Sequence, residues 1–166
     1  MFQIEKLKND LKDWLTEDEI KASEVTAKFT DFHLQLSNAF GLGLQVDISK
    51  LTGKSIIVFG TKLRNSPPIQ QAFMSFAETE KIKILEELKR DLIRLGVEYS
   101  ISGNFSDMVI VKELYIQDLT RTSFMESLKM VRNASIFVIS ILSEKLAIKQ
   151  IATPPHSHSE LPSPYG

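Results

Sequence analysis

Two runs of alternating residues constrain this chain more than any other feature. In DFHLQLSN, Phe32, Leu34 and Leu36 alternate with Asp31, His33, Gln35 and Ser37. In GLGLQVDIS, Leu42, Leu44, Val46 and Ile48 alternate with Gly43, Gln45, Asp47 and Ser49. Successive side chains of a strand point to opposite faces, so each run is a half-buried strand with one dry face and one wet face. Asn38-Ala39-Phe40-Gly41 joins the two as a hairpin. SIIVFGTKL, residues 55 to 63, is apolar on both faces at Ile56-Ile57-Val58-Phe59, which places it centrally or beneath a helix. Three sequential strands with short links make an antiparallel meander.

The dry face needs helices, and the flanking sequence supplies them. Ile4, Leu7, Leu11, Trp14 and Leu15 recur at helical spacing over residues 2 to about 17. Residues 18 to 28 are polar and suit a short edge strand or a loop. Ser66 before Pro67 is a cap followed by an N1 proline, opening a helical region that runs to about Leu95. A break is expected near Ala77-Glu78-Thr79, with Thr79 capping a second segment. Leu85, Leu88, Leu92 and Leu95 form its buried stripe, and Glu86 with Arg90 adds an i,i+4 pair worth about 0.3 kcal/mol. Gly96 then ends the helix as a C′ glycine.

VEYSIS resumes the sheet, Gly103 to Asp107 turns the chain, and MVIVKELYI, Met108 to Ile116, is the next strand. Asp118 or Thr120 caps a final helix, with Leu119 packing beneath it; capping is worth about 1 kcal/mol. Phe124, Leu128, Val131, Ala134, Val138 and Leu142 share one stripe of that helix. SIFVISIL within it is β-branched and would also suit a strand. Glu144-Lys145-Leu146 continues the helical spacing, so one long helix is expected. The fold class is therefore α+β, an antiparallel sheet packed against helices in the order α-β-β-β-α-β-β-α. Residues 1–150 form a single domain. Residues 151–166, rich in Pro, Ser and His, are expected to be a disordered tail.

Composition narrows the function classes. Twenty basic and 21 acidic residues leave a net charge of −1, which offers no electrostatic pull toward nucleic acid or anionic membrane. Neither partner is expected. The chain has no cysteine, which removes disulfides, thiolate catalysis and cysteine metal sites. MFQIEKLKNDLKDWL is charged throughout, unlike a secretory signal, and the run Ile136-Phe137-Val138-Ile139 is far too short to span a bilayer. A cytoplasmic protein is expected.

No motif specifies chemistry. Gly53-Lys54-Ser55 ends like a phosphate-binding loop, but the required first glycine is Ile48, and Ser55 opens a strand where the loop needs a helix. A hairpin turn accounts for it. Gly41-Leu42-Gly43 lacks the third glycine and the following helix of a dinucleotide fingerprint. His33 shares a strand face with Asp31, an acid–base pairing of the weakest sort. His156 and His158 have no third ligand for a metal. Carboxylates at Glu17-Asp18-Glu19 and at Glu78 and Glu80 fit helix-end solvation. No serine sits in a G-x-S-x-G elbow, and Asn133-Ala134-Ser135 matches a glycosylation sequon inside the final helix. No catalytic residue, cofactor or metal is assigned.

The element order resembles the type III secretion chaperone fold. The stretch ELYIQDLTRTSFMESLKMVRNAS, with Tyr115, Asp118, Leu119, Thr120, Phe124, Val131 and Asn133, resembles a mainly archaeal family of uncharacterised proteins, and Trp14-Leu15 fits the same pattern. In that family a glycine usually follows the aspartate; here it is absent. The resemblance covers roughly residues 3 to 146. Its fold implies small dimers that bind an extended partner segment along a sheet or groove, and it carries no catalytic residue.

The expected function is a chaperone- or adaptor-like protein- or peptide-binding module, acting as a homodimer. Binding would use β-addition at a free edge before Phe29, or a helix-lined groove. Ile136, Phe137, Ile139 and Ile141 cannot all face one core, so some are expected at an interface. A small-ligand-sensing domain with a cavity between sheet and helices is the alternative. An enzyme using His33 and Asp31 ranks below both.

Overall fold

The computed structural model describes residues 2–26, 30–37, 43–49, 56–103 and 105–152. Helix α1 spans Phe2–Glu17 and is followed by strands β1 (Ala22–Glu24), β2 (Thr30–Leu36), β3 (Leu44–Ser49) and β4 (Ile56–Arg64). Helices α2 (Pro67–Met74) and α3 (Glu78–Arg94) come next, then β5 (Glu98–Ile101), β6 (Asp107–Tyr115), a 3₁₀ turn at Ile116–Asp118 and helix α4 (Arg121–Ala152). The six strands form one antiparallel sheet in the order β1-β2-β3-β4-β6-β5.

Alternation fixes the register. Phe32 lies opposite Ile48, Leu34 opposite Val46 and Leu36 opposite Leu44, and all six are buried. A one-residue slip would turn this whole set to solvent. Ile57 and Phe59 of β4 and Met108 and Ile110 of β6 continue the same inner face. Strand β4 lies between β3 and β6, as its doubly apolar sequence demands. Leu11 and Leu15 of α1, Phe73 of α2, Ile84, Leu88 and Leu92 of α3, and the α4 stripe complete one core on that face. Phe124 sits at its middle, with ring centroids 5.6 Å from Trp14 and 5.3 Å from Phe59. Such tilted and edge-on contacts suit the quadrupoles of the rings.

The opposite face carries no described helix. One row crosses all six strands on it: Ser23, Gln35, Gln45, Gly60, Val111 and Glu98. The residues between helix α1 and β2 do hold a short edge strand. Its three residues are all exposed, and β1, which precedes Phe29, is the outermost strand on that side of the sheet.

The second helical segment opens one position before Thr79. Helix α3 begins at Glu78 with Ala77 at the N-cap, and the Ala77 N–H donates to Glu80 Oε2 at 3.1 Å. The carboxylate three residues on reaches back to the N-cap N–H, the Glu half of a capping box. The Glu86–Arg90 pair does not form. Arg90 and Arg94 both turn to Asp91, at 3.7 and 3.3 Å. At Gly96 (φ 70°) the helix closes as a Schellman motif, with Gly96 N–H donating to Ile93 O and Val97 N–H to Leu92 O.

The last helix is continuous through its β-branched centre. Phe124, Leu128, Val131, Ala134, Val138 and Leu142 are all buried, joined by Leu146 and by Ser127 and Ser135. Both serines are satisfied within the helix, Ser127 Oγ donating to Ser123 O and Ser135 Oγ to Val131 O. Tertiary burial outweighs the weak helix propensity of the Ile and Val residues here.

Candidate functional site

A cleft lies between α2, α4 and one end of the sheet. This cleft measures about 350 Å³ and is part-open to solvent. Pro68, Ile69 and Ala72 of α2 form one wall; Val138, Ile139, Leu142 and Leu146 of α4 form the other. Leu63 and Met108 make the floor, and Arg64, Asn65 and Ser143 supply polar groups. Asn65 is committed to structure. Its N–H donates to Ser106 O, its Nδ2 to Phe105 O at 2.8 Å, and its carbonyl accepts from Gln70 Nε2.

Helix α2 is held in place by an unusual residue. Phe105 sits in the left-handed region (φ 57°), buried in the β5–β6 turn. Its ring stacks on Phe73 of α2 at 3.9 Å between centroids and 16° between planes. A bulky non-glycine residue at positive φ is strained, and here the strain places the ring that anchors one wall of the cleft.

The four α4 residues expected at an interface do not form one patch. At 100° per residue, Ile136 and Ile139 fall within about 60° of each other, and Phe137 and Ile141 within about 40°, on opposite flanks of the buried stripe. Ile136 and Ile139 are 42% and 45% exposed, and Ile139 lines the cleft. Phe137 is half-buried, and Ile141 packs against the core.

At the start of α4, Thr120 Oγ1 accepts from Ser123 N–H at 3.1 Å while Ser123 Oγ accepts from Thr120 N–H at 2.8 Å. This reciprocal pair is a capping box closed by serine. The Asp118 carbonyl, not its carboxylate, accepts from Ser123 Oγ, and Leu119 is half-buried against the core.

Among the described residues His33 pairs with Asp47. The two lie directly opposite on β2 and β3, and His33 Nδ1 meets Asp47 Oδ1. Cross-strand neighbours stand closer than residues two apart on one strand. The pair orients an imidazole, but no third hydrogen-bonded member joins it among the described residues. The Asp31 side chain, residues 38–42, residues 50–55 with Gly53-Lys54-Ser55, and residues 153–166 with His156 and His158 lie outside the described residues. Ser102, Ser106 and Asp107 form a hydrogen-bonded cluster that closes the β5–β6 turn, Asp107 N–H donating to Ser102 Oγ at 2.8 Å. Among the described residues no three His, Asp or Glu gather as a metal site, and no helix is long and apolar enough to cross a membrane.

The pattern of the family described as Uncharacterized conserved protein (DUF2299) matches residues 7–142. The chain belongs to this family. That span runs from α1 into the cleft wall of α4, so the elements that build the core of this DUF2299 protein are those of the family. A crystal structure of an uncharacterized protein from Methanothermobacter thermautotrophicus superposes with a TM-score of 0.76 at 18% identity, covering 84% of this chain and 98% of that one. At that identity the likeness shows the fold. No curated protein matches the DUF2299 chain.

Proposed function

We propose that this protein is a non-catalytic binding module, chaperone- or adaptor-like, that acts in the cytoplasm as a homodimer. Its α2–α4 cleft takes an apolar segment of a partner protein. The observation that carries the reading is the cleft itself: a part-open trough with apolar walls, a floor of Leu63 and Met108, and Ile139 exposed at its rim. Exposed apolar surface next to a groove is the usual mark of helix-in-groove or peptide recognition. Helices gathered on one face of an antiparallel sheet support the comparison with secretion chaperones.

The groove is favoured over the sheet edges. Edge strand β1 has three residues and β5 has four, and short edges offer few backbone groups to an added strand. A second reading, a small apolar ligand in the same cleft, is favoured by its volume, which falls in the range of small-molecule pockets. A saturable rise in melting temperature with a metabolite would mark that case.

A photo-crosslinking residue placed at Ile139 tests the first reading, with the same residue at Met130 as control. Met130 is 40% exposed on α4 and does not line the cleft. Discrete polypeptide adducts are expected from position 139 and not from 130. Equal yields at both positions, or none at either, would count against the cleft.

A further inference from the structure

The outward face of α3 carries a stripe that complements itself. Ile82, Glu86, Lys89 and Ile93 are all exposed, the two isoleucines at 52% and 60%. At 100° per residue they lie within about 60° of one line along the helix. Ile82 and Ile93 stand at its ends, and Glu86 and Lys89 lie between them, symmetric about the same midpoint. A second copy of the stripe, laid antiparallel across a two-fold axis, sets Ile82 against Ile93 and Glu86 against Lys89, twice over. Neither Glu86 nor Lys89 has an ion-pair partner among the described residues, while the neighbouring Arg90 and Arg94 are held by Asp91. A shallow, open hollow of about 530 Å³, lined by Glu86, Lys89, Arg90, Ile93 and Arg94, lies on this face.

We propose that α3 is a self-association surface through which two copies of this chain pair antiparallel, Ile82 on Ile93 and Glu86 on Lys89. The occupant is a second copy because the charge pattern complements its own copy. A two-fold interface brings the same patch against itself, so the patch must be self-complementary, and this one is. The surface shares no residue with the α2–α4 cleft, so its test is independent of the binding reading. A single helix pair is smaller than a standard stable interface, which places the dimer among weak, concentration-dependent ones.

Charge reversal tests the pairing without touching the core. Sedimentation equilibrium of the full chain is expected to show a reversible dimer. Glu86→Lys and Lys89→Glu should each weaken it roughly tenfold, since each sets like charges opposite at two symmetric places. The double variant E86K/K89E should restore it to within about threefold, because complementarity returns with the signs exchanged. The absence of native cysteine makes a second test clean. Ile82→Cys/Ile93→Cys should form a disulfide-linked dimer under mild oxidation, while either single variant should not, since Ile82 and its own copy lie roughly 16 Å apart along an antiparallel pair. A monomer at all concentrations, no recovery in E86K/K89E, or crosslinking by Ile82→Cys alone would each overturn the proposal.

Discussion

Phe124→Ala is expected to lower the unfolding free energy by about 3–5 kcal/mol, the cost typical of removing a fully buried phenylalanine. The site is chosen by its position. Phe124 is fully buried on the first turns of α4 and touches Trp14 of α1 and Phe59 of β4, so three elements lose contacts together. Net stabilities of single domains are about 5–15 kcal/mol, so this loss takes a large share. The residue's own neighbour reports it: Trp14 is the single tryptophan of the chain, and urea unfolding followed by its fluorescence measures the change directly. A loss below about 1 kcal/mol would mean that the aromatic cluster does not hold α4 to the sheet.

The second large effect lies in the β5–β6 turn, and its sign pattern matters more than its size. Phe105→Ala should cost about 3–4 kcal/mol, because a ring stacked on Phe73 is lost from the core. Ordinarily glycine at such a site would be worse than alanine by up to about 1 kcal/mol. Here the backbone is left-handed (φ 57°), which alanine tolerates poorly and glycine freely. Phe105→Gly is therefore expected to match or exceed the stability of Phe105→Ala. The usual order, alanine well above glycine, would contradict the strained backbone. Both variants remove the anchor of α2. Amide exchange in residues 69–74, which follow the two prolines of α2, should accelerate in each, more than in α3.

These effects were legible in the sequence to different degrees, and burial explains the difference. The α4 stripe from Phe124 to Leu142 is buried as its period predicts, because one face of a long helix must be dry. The β2–β3 register follows from alternation for the same reason. In α3 the expected stripe ran through Leu85 and Leu95. The structure buries Ile84 with Leu88 and Leu92 and leaves Leu85 and Leu95 half-buried. The two stripes share two residues and differ by a small rotation, which helical period alone does not resolve. Strand β1 is Ala-Ser-Glu, paired through its backbone with no side chain buried, so it leaves no hydrophobic signature.

The functional surfaces depend on contacts distant in sequence. The cleft joins residues 63–72, Met108 and residues 138–146, and no local pattern announces that meeting. The interface residues named from α4 illustrate the limit. Their apolar excess is visible in the sequence, but only the structure divides Ile136 and Ile139 from Phe137 and Ile141. His33 likewise finds Asp47 through strand register, fourteen residues away.

Native mass spectrometry of the protein gently purified from its own source tests the central claim most directly, run beside an Ala72→Trp variant whose indole fills the cleft. The cleft reading predicts a stoichiometric polypeptide adduct on the wild type and none on the variant. A wild type that flies bare, an adduct that is a small molecule, or a polypeptide retained equally by Ala72→Trp would contradict it.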